Sequence, residues 1–159
     1  MRTMRRTGLI LAGLLFAAAS ASAQTKPNFS GDWKLNTAKS NFGQLPAPSS
    51  LTQKITHDDP TLNVQTAQTS DFGDFNSDFK FTTDGKECQN AMGDQFHMTS
   101  TVKWEGDILT FDSKMDFQGA AMTGTDKWTL SPDGKTITVQ RHFVSPMGEG
   151  DATIVMDKQ

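Results

Sequence analysis

Apolar and polar residues alternate along most of the chain beyond its N-terminal segment. In the segment 107–117, Leu109 and Phe111 fall on one parity. Asp112 and Lys114 fall on the other. A period of two places successive side chains on opposite faces of an extended strand, so the pattern predicts half-buried β-strands. No helical periodicity of useful length accompanies it.

Turn signals rich in Gly, Pro and Asp separate the alternating segments at intervals of about 10 to 14 residues. The short connections predict antiparallel hairpins between consecutive strands, which is a meander. The strands predicted in this way are 30–36, 51–58, 61–69, 75–83, 86–90, 94–104, 107–118, 121–130, 136–145 and 150–157.

Three tight turns predict specific strand pairings. Turns at Glu105-Gly106, Gly119-Ala120 and Asp84-Gly85 would pair Val102 with Leu109, Phe117 with Met122, and Phe81 with Cys88. Each pairing sets apolar against apolar, and a slip of one residue would move every side chain to the wrong face.

The fold class that follows is all-β, an antiparallel up-and-down barrel of about 8–10 strands. A barrel buries one face of every strand and removes the sheet edges. A sandwich is the alternative, and the near-pure meander favours the barrel. The segment 36–50, with Pro46 and Pro48, lacks strand formers and is predicted to be one long connection across an end of the barrel.

The first 23 residues predict export. Three arginines open the chain, an uninterrupted apolar and small-residue run spans 8–19, and Ala21-Ser22-Ala23 gives the small-x-small pattern of a cleavage site. The predicted domains are therefore a signal peptide over 1–23 and a single barrel over 24–159. We expect a periplasmic or secreted protein with no stable membrane anchoring after removal of the signal.

Charge narrows the classes of partner. Without the three arginines of the signal, 12 basic residues remain against 18 acidic ones, a net charge of −6. An acidic chain with no basic cluster argues against nucleic acid and against anionic membrane surfaces as partners.

The single cysteine, Cys88, allows no internal disulfide. It is a buried apolar side chain, a reactive thiol or a link between subunits. The oligomeric state is not predicted.

Two stretches resemble a known group. Residues 31–40, which contain the Gly31-Asp32-Trp33 motif, and residues 131–138 resemble small exported lipocalin-like proteins of soil bacteria. The Gly-x-Trp opening followed by a β-meander is similar to the calycins, the lipocalin and fatty-acid-binding group. The resemblance implies a barrel with Gly31 and Trp33 as its structural signature. It also implies an arginine from a late strand lying across the first-strand tryptophan, for which Arg141 is the candidate.

Arg141 has three interpretations. It shares the parity of Val139 and Phe143 and is therefore predicted to point inward. It can stack on Trp33 as a plug, pair with the inward Asp126, or bind the carboxylate of an acidic apolar ligand, since a guanidinium suits planar carboxylates.

The inward-facing residues predict a pocket that is mostly apolar with a few polar groups. They include Phe75, Phe79, Phe81, Phe96, Phe111, Phe117, Phe143, Met98, Met115, Met122, Met156, Trp104 and Trp128. The predicted ligand-binding residues are Arg141 and Asp126 as polar anchors, with Trp128, Phe111, Met115, Met98 and Ser113 as walls. The predicted function is carriage or sequestration of a small apolar ligand, with or without an acidic group.

One alternative is a structural or interaction protein of the cell envelope with a filled core, and another is a calycin-type enzyme.

Signals for catalysis are weak. The histidines have no metal-ligand spacing, His97 and His142 fall on outward parity, and His57 is placed at a turn. Cys88 has no evident base beside it. The sequence therefore predicts no cofactor, no metal and no catalytic residue, and it favours a non-enzymatic role.

Overall fold

A computed structural model describes residues 25–71 and 73–159 of the protein, and the predicted signal peptide lies outside the described residues. Within them the chain forms ten strands and no helix. The strands are β1 (Gly31–Leu35), β2 (Ser50–Asp58), β3 (Thr61–Ser70), β4 (Gly73–Thr82), β5 (Asp84–Met92), β6 (Phe96–Glu105), β7 (Ile108–Phe117), β8 (Ala120–Leu130), β9 (Thr136–Ser145) and β10 (Gly148–Lys158). The described part holds no helix long and apolar enough to cross a bilayer.

The strands form one antiparallel sheet in the order β4-β3-β2-β1-β10-β9-β8-β7-β6-β5. The predicted meander is confirmed, and β1 joins the first and last parts of the chain by pairing with both β2 and β10. The sheet curls into a nearly closed barrel. Burial alternates along β9, where Ile137 and Val139 are buried and Gln140 is exposed, as period-two patterning requires.

The predicted register of two hairpins is wrong by two residues. Val102 pairs with Phe111 rather than Leu109, and Phe117 pairs with Ala120 rather than Met122. The turn between β7 and β8 lies one residue earlier than predicted, because Gln118 takes a positive φ of 53° beside a glycine at 83°. Two positive φ values are those of a hairpin turn that matches strand twist. Since the shift is two, every side chain keeps its predicted face.

The predicted hairpin between β4 and β5, with Phe81 opposite Cys88, is also wrong. The sheet ends at these two strands, and no backbone ladder joins them in the described ranges. Side chains bridge the gap instead. The Asn90 amide donates to the Lys80 carbonyl at 3.0 Å and accepts from the Lys80 N–H at 2.9 Å, and Cys88 Sγ accepts from the Thr82 N–H at 3.2 Å.

The two ends of the barrel are packed differently. At the end where β1 begins, which we call the sealed end, Trp33, Leu62 and Leu109 are fully buried. At the opposite end, which we call the open end, inward residues such as Phe79 and Met115 are only half-buried. The core therefore occupies one half of the lumen and thins out toward the other.

The long connection 36–49 forms part of the barrel wall. It runs as turns rather than helix beside β10, where Asn41 and Thr153 exchange backbone hydrogen bonds of 2.7 and 2.6 Å. Because β1 is only five residues long, this connection lies beside the part of β10 that β1 does not cover. Gly43, with φ 57°, is needed here since a Cβ at this position would collide with the Asp151 carbonyl.

Candidate functional site

The sealed end is closed over Trp33. The Trp33 indole donates to the Phe29 carbonyl at 2.9 Å, and Lys158, its direct partner on β10, places Nζ 5.3 Å from the ring centroid. Gly31, with φ 143°, allows this approach, because a Cβ there would stand 2.6 Å from Lys158 Cε. The cation over the first-strand tryptophan is thus Lys158 and not Arg141. The interpretation of Arg141 as a plug on Trp33 is wrong, since the register sets Arg141 opposite another residue.

His57 belongs to this end and not to a turn, which corrects the prediction. It lies in β2 and is 5% exposed. The Phe29 N–H donates to Nδ1 at 3.2 Å, so Nε2 carries the proton and donates to Asp59 at 2.8 Å. With both nitrogens engaged and buried, His57 positions the N-terminal segment against the barrel.

Asp59 collects donors from three parts of the chain. Besides His57 it accepts the Thr83 hydroxyl at 2.7 Å and the Trp104 indole at 3.0 Å. Burial acts to raise the pKa of Asp59, but these hydrogen bonds outweigh burial and hold the pKa below its ordinary value. The Phe29, His57 and Trp104 rings stack on one another with centroids 5.9 to 6.1 Å apart. Every polar side chain of this cluster therefore has a partner.

Arg141 and Asp126 face each other across β9 and β8. Arg141 Nε donates to Oδ1 at 2.7 Å and Nη2 to Oδ2 at 2.6 Å, which is a two-pronged ion pair. The Asp126 charge raises the pKa of Arg141 above its ordinary value, and it outweighs the opposing effect of burial. Of the three interpretations of Arg141, the structure shows the pairing with Asp126.

A cavity of about 250 Å³ lies between the connection and the barrel wall. Phe42 and Leu45 of the connection, Gln53 of β2, Trp128 of β8 and Arg141 of β9 are part of its lining. The predicted residues Arg141 and Trp128 thus meet here. Gln53 and the two connection residues were not predicted. Gln53 shares the inward parity of Leu51 and Ile55, which is the signal that identifies it, whereas the connection has no periodicity to read.

Two buried polar atoms of this lining lack a hydrogen-bond partner among the described residues. They are the Trp128 indole N–H and the side-chain oxygen of Gln53, whose amide nitrogen donates to the Thr66 hydroxyl at 3.2 Å. A buried donor or acceptor left unsatisfied costs about 1–3 kcal/mol. The cavity is therefore apolar in most of its lining, with one donor and one acceptor unused.

The other predicted wall residues lie on the neighbouring strands. Met98 and Phe111 are buried, and the Phe111 ring packs 4.7 Å from that of Trp128. Ser113 shares a hydrogen bond of 2.7 Å with Ser100. Met115 is half-buried and lies nearer the open end, where it pairs with Met122. Phe111 thus backs the cavity, whereas Met98, Ser113 and Met115 line the lumen farther along.

The wall of the open end is aromatic. Phe79 of β4 stacks on Phe96 of β6 at 6.0 Å, and Phe75 meets Phe96 edge-on at 6.5 Å, so these rings reach across the break in the sheet. Phe117 at the rim is 45% exposed and Met147, on the turn before β10, is 97% exposed. Apolar surface is therefore left accessible at this mouth.

The rim of the open end is acidic. Its four turns and the adjoining residues, 70–74, 92–96, 116–120 and 145–149, contain no Lys or Arg. They carry Asp71, Asp74, Asp94, Asp116 and Glu149, all exposed. The described residues include no group of three or more His, Cys, Asp or Glu side chains placed to hold a metal ion.

No family model and no curated protein matches this sequence. Several solved structures resemble the barrel, and three of them show the extent of the likeness. A secretory abundant heat soluble protein from Ramazzottius varieornatus matches with a TM-score of 0.58 and 12% identity over 85% of this chain and 97% of that chain. The fold is calycin-like.

Zebrafish ileal bile acid-binding protein, solved in complex with cholic acid, matches with a TM-score of 0.56 and 15% identity over 82% of this chain and 98% of that chain. Secretory abundant heat soluble protein 4 from Ramazzottius varieornatus matches with a TM-score of 0.53 and 13% identity over 85% of this chain and 96% of that chain. At these identities the likeness concerns the fold alone. The alignments cover each neighbour almost completely, so the likeness extends over the whole barrel.

Proposed function

We propose that the protein is exported and binds a small apolar ligand in the barrel lumen. The observation that carries the proposal is the asymmetry of the lumen. The sealed end is packed solid and the side chains of its His57–Asp59 cluster are paired, whereas the connection covers a cavity of about 250 Å³ and the open end keeps half-buried inward aromatic side chains.

Physical chemistry supports a ligand rather than a filled core. Phe79, Phe96 and Met115 point inward, yet each retains accessible surface. Covering a large apolar side chain completely is worth about 1.5–3 kcal/mol relative to leaving it exposed. An apolar molecule that enters the lumen covers the surface that remains accessible, so it gains a fraction of this free energy at each of these side chains. Methionine also adapts to irregular apolar shapes.

The uptake of a neutral fluorescent probe, phenylnaphthylamine, tests the proposal. We expect saturable binding with one site per chain. The inward substitution Met122→Asp should weaken it about tenfold, because a carboxylate would stand in apolar surroundings. The outward substitution Thr123→Asp, one position along the same strand, is the matched control and should leave binding unchanged. Absence of saturable uptake by the folded protein would favour a structural envelope protein with a filled core.

Export rests on the N-terminal pattern alone and is tested separately. Expression of the full chain in a secreting bacterial host should yield a product that begins at Gln24, read by intact mass. A product retaining residues 1–23 would contradict export and leave the ligand proposal untouched.

A further inference from the structure

We propose that the cavity beneath residues 42–48 binds a hydroxyl group, so that the ligand is an uncharged alcohol and not a carboxylic acid. This inference rests on the proposed function, since it names the chemistry of the ligand that the lumen takes. Three independent features of the lumen and its rim support it.

The first feature is the pair of unused polar atoms. The Trp128 indole can only donate a hydrogen bond, and the free Gln53 oxygen can only accept one. Both side chains line the same cavity. A hydroxyl group accepts and donates at once, so its chemistry matches both atoms. A carboxylate has no proton to give Gln53, and a hydrocarbon satisfies neither atom.

The second feature is the charge of the lumen. Arg141 already holds Asp126 through two hydrogen bonds, so the pair is neutral as a unit. The other inward residues of the strands around them, such as Ser113, Met122 and Val139, are uncharged. An entering carboxylate would bring a second anion beside Asp126 and lose its hydration without a free cation in return.

The third feature is the acidic rim described above, with five exposed carboxylates on the turns of the open end. A mouth lined by one sign of charge repels solutes of that sign. The rim therefore disfavours entry of fatty-acid-like anions and has no such effect on a neutral alcohol.

Three octyl-sized compounds separate the possibilities. Octanol donates and accepts, heptyl methyl ether has the same heavy-atom count but only accepts, and octanoate is an anion. Each displaces phenylnaphthylamine from the purified protein if it binds. We expect octanol to bind about tenfold or more tightly than either of the others, which corresponds to about 1.4 kcal/mol.

Variants assign the effect to residues. Gln53→Met should weaken octanol about tenfold and leave heptyl methyl ether unchanged, because only the alcohol donates to Gln53. Trp128→Phe should weaken both, because both accept from the indole. Gln89→Met, at an exposed position of β5, is the matched control and should change neither.

The outcomes are distinct. If the probe is not taken up, the proposed function fails. If the probe binds but none of the three compounds displaces it, the function stands and the alcohol inference is overturned. If octanoate binds most tightly, the function stands and the alcohol inference is overturned. If octanol and the ether bind equally and Gln53→Met has no effect, the two polar atoms hold an ordered water only, and the inference is again overturned.

Discussion

The ion pair between Arg141 and Asp126 offers a sharp test of how the lumen is built. Asp126→Asn removes the anion and leaves the guanidinium without a counter-charge. Loss of one partner of a buried pair costs about 3–5 kcal/mol. The Arg141 side chain is 39% exposed and that of Asp126 17%, so solvent screens the pair. We therefore expect the free energy of unfolding to fall by about 1–3 kcal/mol.

Urea unfolding followed by tryptophan fluorescence measures this loss as a lower midpoint at unchanged slope. Asp112→Asn, at an exposed position of the adjacent β7, is the matched control and should change stability by less than about 0.5 kcal/mol. The double variant with leucine at 126 and 141 should recover most of the loss, because it removes both charges together. A single variant as stable as wild type, or a double variant less stable than the single one, would refute this reasoning.

The Asp126→Asn substitution should also change the affinity of the lumen for acidic ligands. With Asp126 neutralised, the Arg141 fork becomes free to pair with a carboxylate. Octanoate should then bind about tenfold more tightly to Asp126→Asn than to wild type, whereas octanol should change by less than about threefold. If octanoate gains nothing in the probe-displacement assay, Asp126 is not what excludes acids from the lumen.

Three further predictions concern the barrel itself. Asn90→Ala removes both side-chain hydrogen bonds to the Lys80 backbone, so stability should fall by about 1–2 kcal/mol and the Lys80 amide should exchange faster with deuterium. Lys158→Gln removes the cation over Trp33 and should lower stability by about 0.5–1 kcal/mol, read by urea unfolding. Because the folded-state pKa of Asp59 lies below 3.8, its contribution to stability is present above about pH 4 and is lost as the pH falls through the folded-state value. Asp59→Asn should therefore lose less stability than wild type between about pH 5 and pH 3, and an equal loss would contradict the role given to its hydrogen bonds.

Strand positions were predictable because every second side chain of a barrel strand faces the core, so burial follows the alternation of the sequence. The ten strands and their inward faces follow from alternation alone, and the pairing of Asp126 with Arg141 was among the expected arrangements. Register was not predictable, because a shift of two residues leaves every face unchanged. The sign of φ at Gln118 decides it, and a glutamine gives no sequence signal for a positive φ.

The candidate site was less visible in the sequence. The contact of Lys158 with Trp33 was not predicted for two reasons. The last strand was predicted to end one residue earlier, and the resemblance to the calycins assigned the contact with Trp33 to Arg141. The cavity was missed because Phe42 and Leu45 belong to a segment without periodicity. The unused Gln53 and Trp128 atoms depend on three-dimensional partners, which no local pattern encodes.

The contrast between the two ends of the lumen is the strongest argument for where function lies. At the sealed end, His57, Asp59 and Thr83 satisfy one another, so this chain is able to complete a polar network within its barrel. At the cavity, the Gln53 side-chain oxygen and the Trp128 indole N–H are buried and have no hydrogen-bond partner among the described residues. Folded proteins pair nearly all buried polar groups, and exceptions concentrate where something else supplies the partner. Of the four such atoms in the described residues, those of Gln53 and Trp128 belong to residues that line the cavity, whereas those of Asn63 and Thr110 do not. The first two therefore support the cavity as the place where a ligand is recognised.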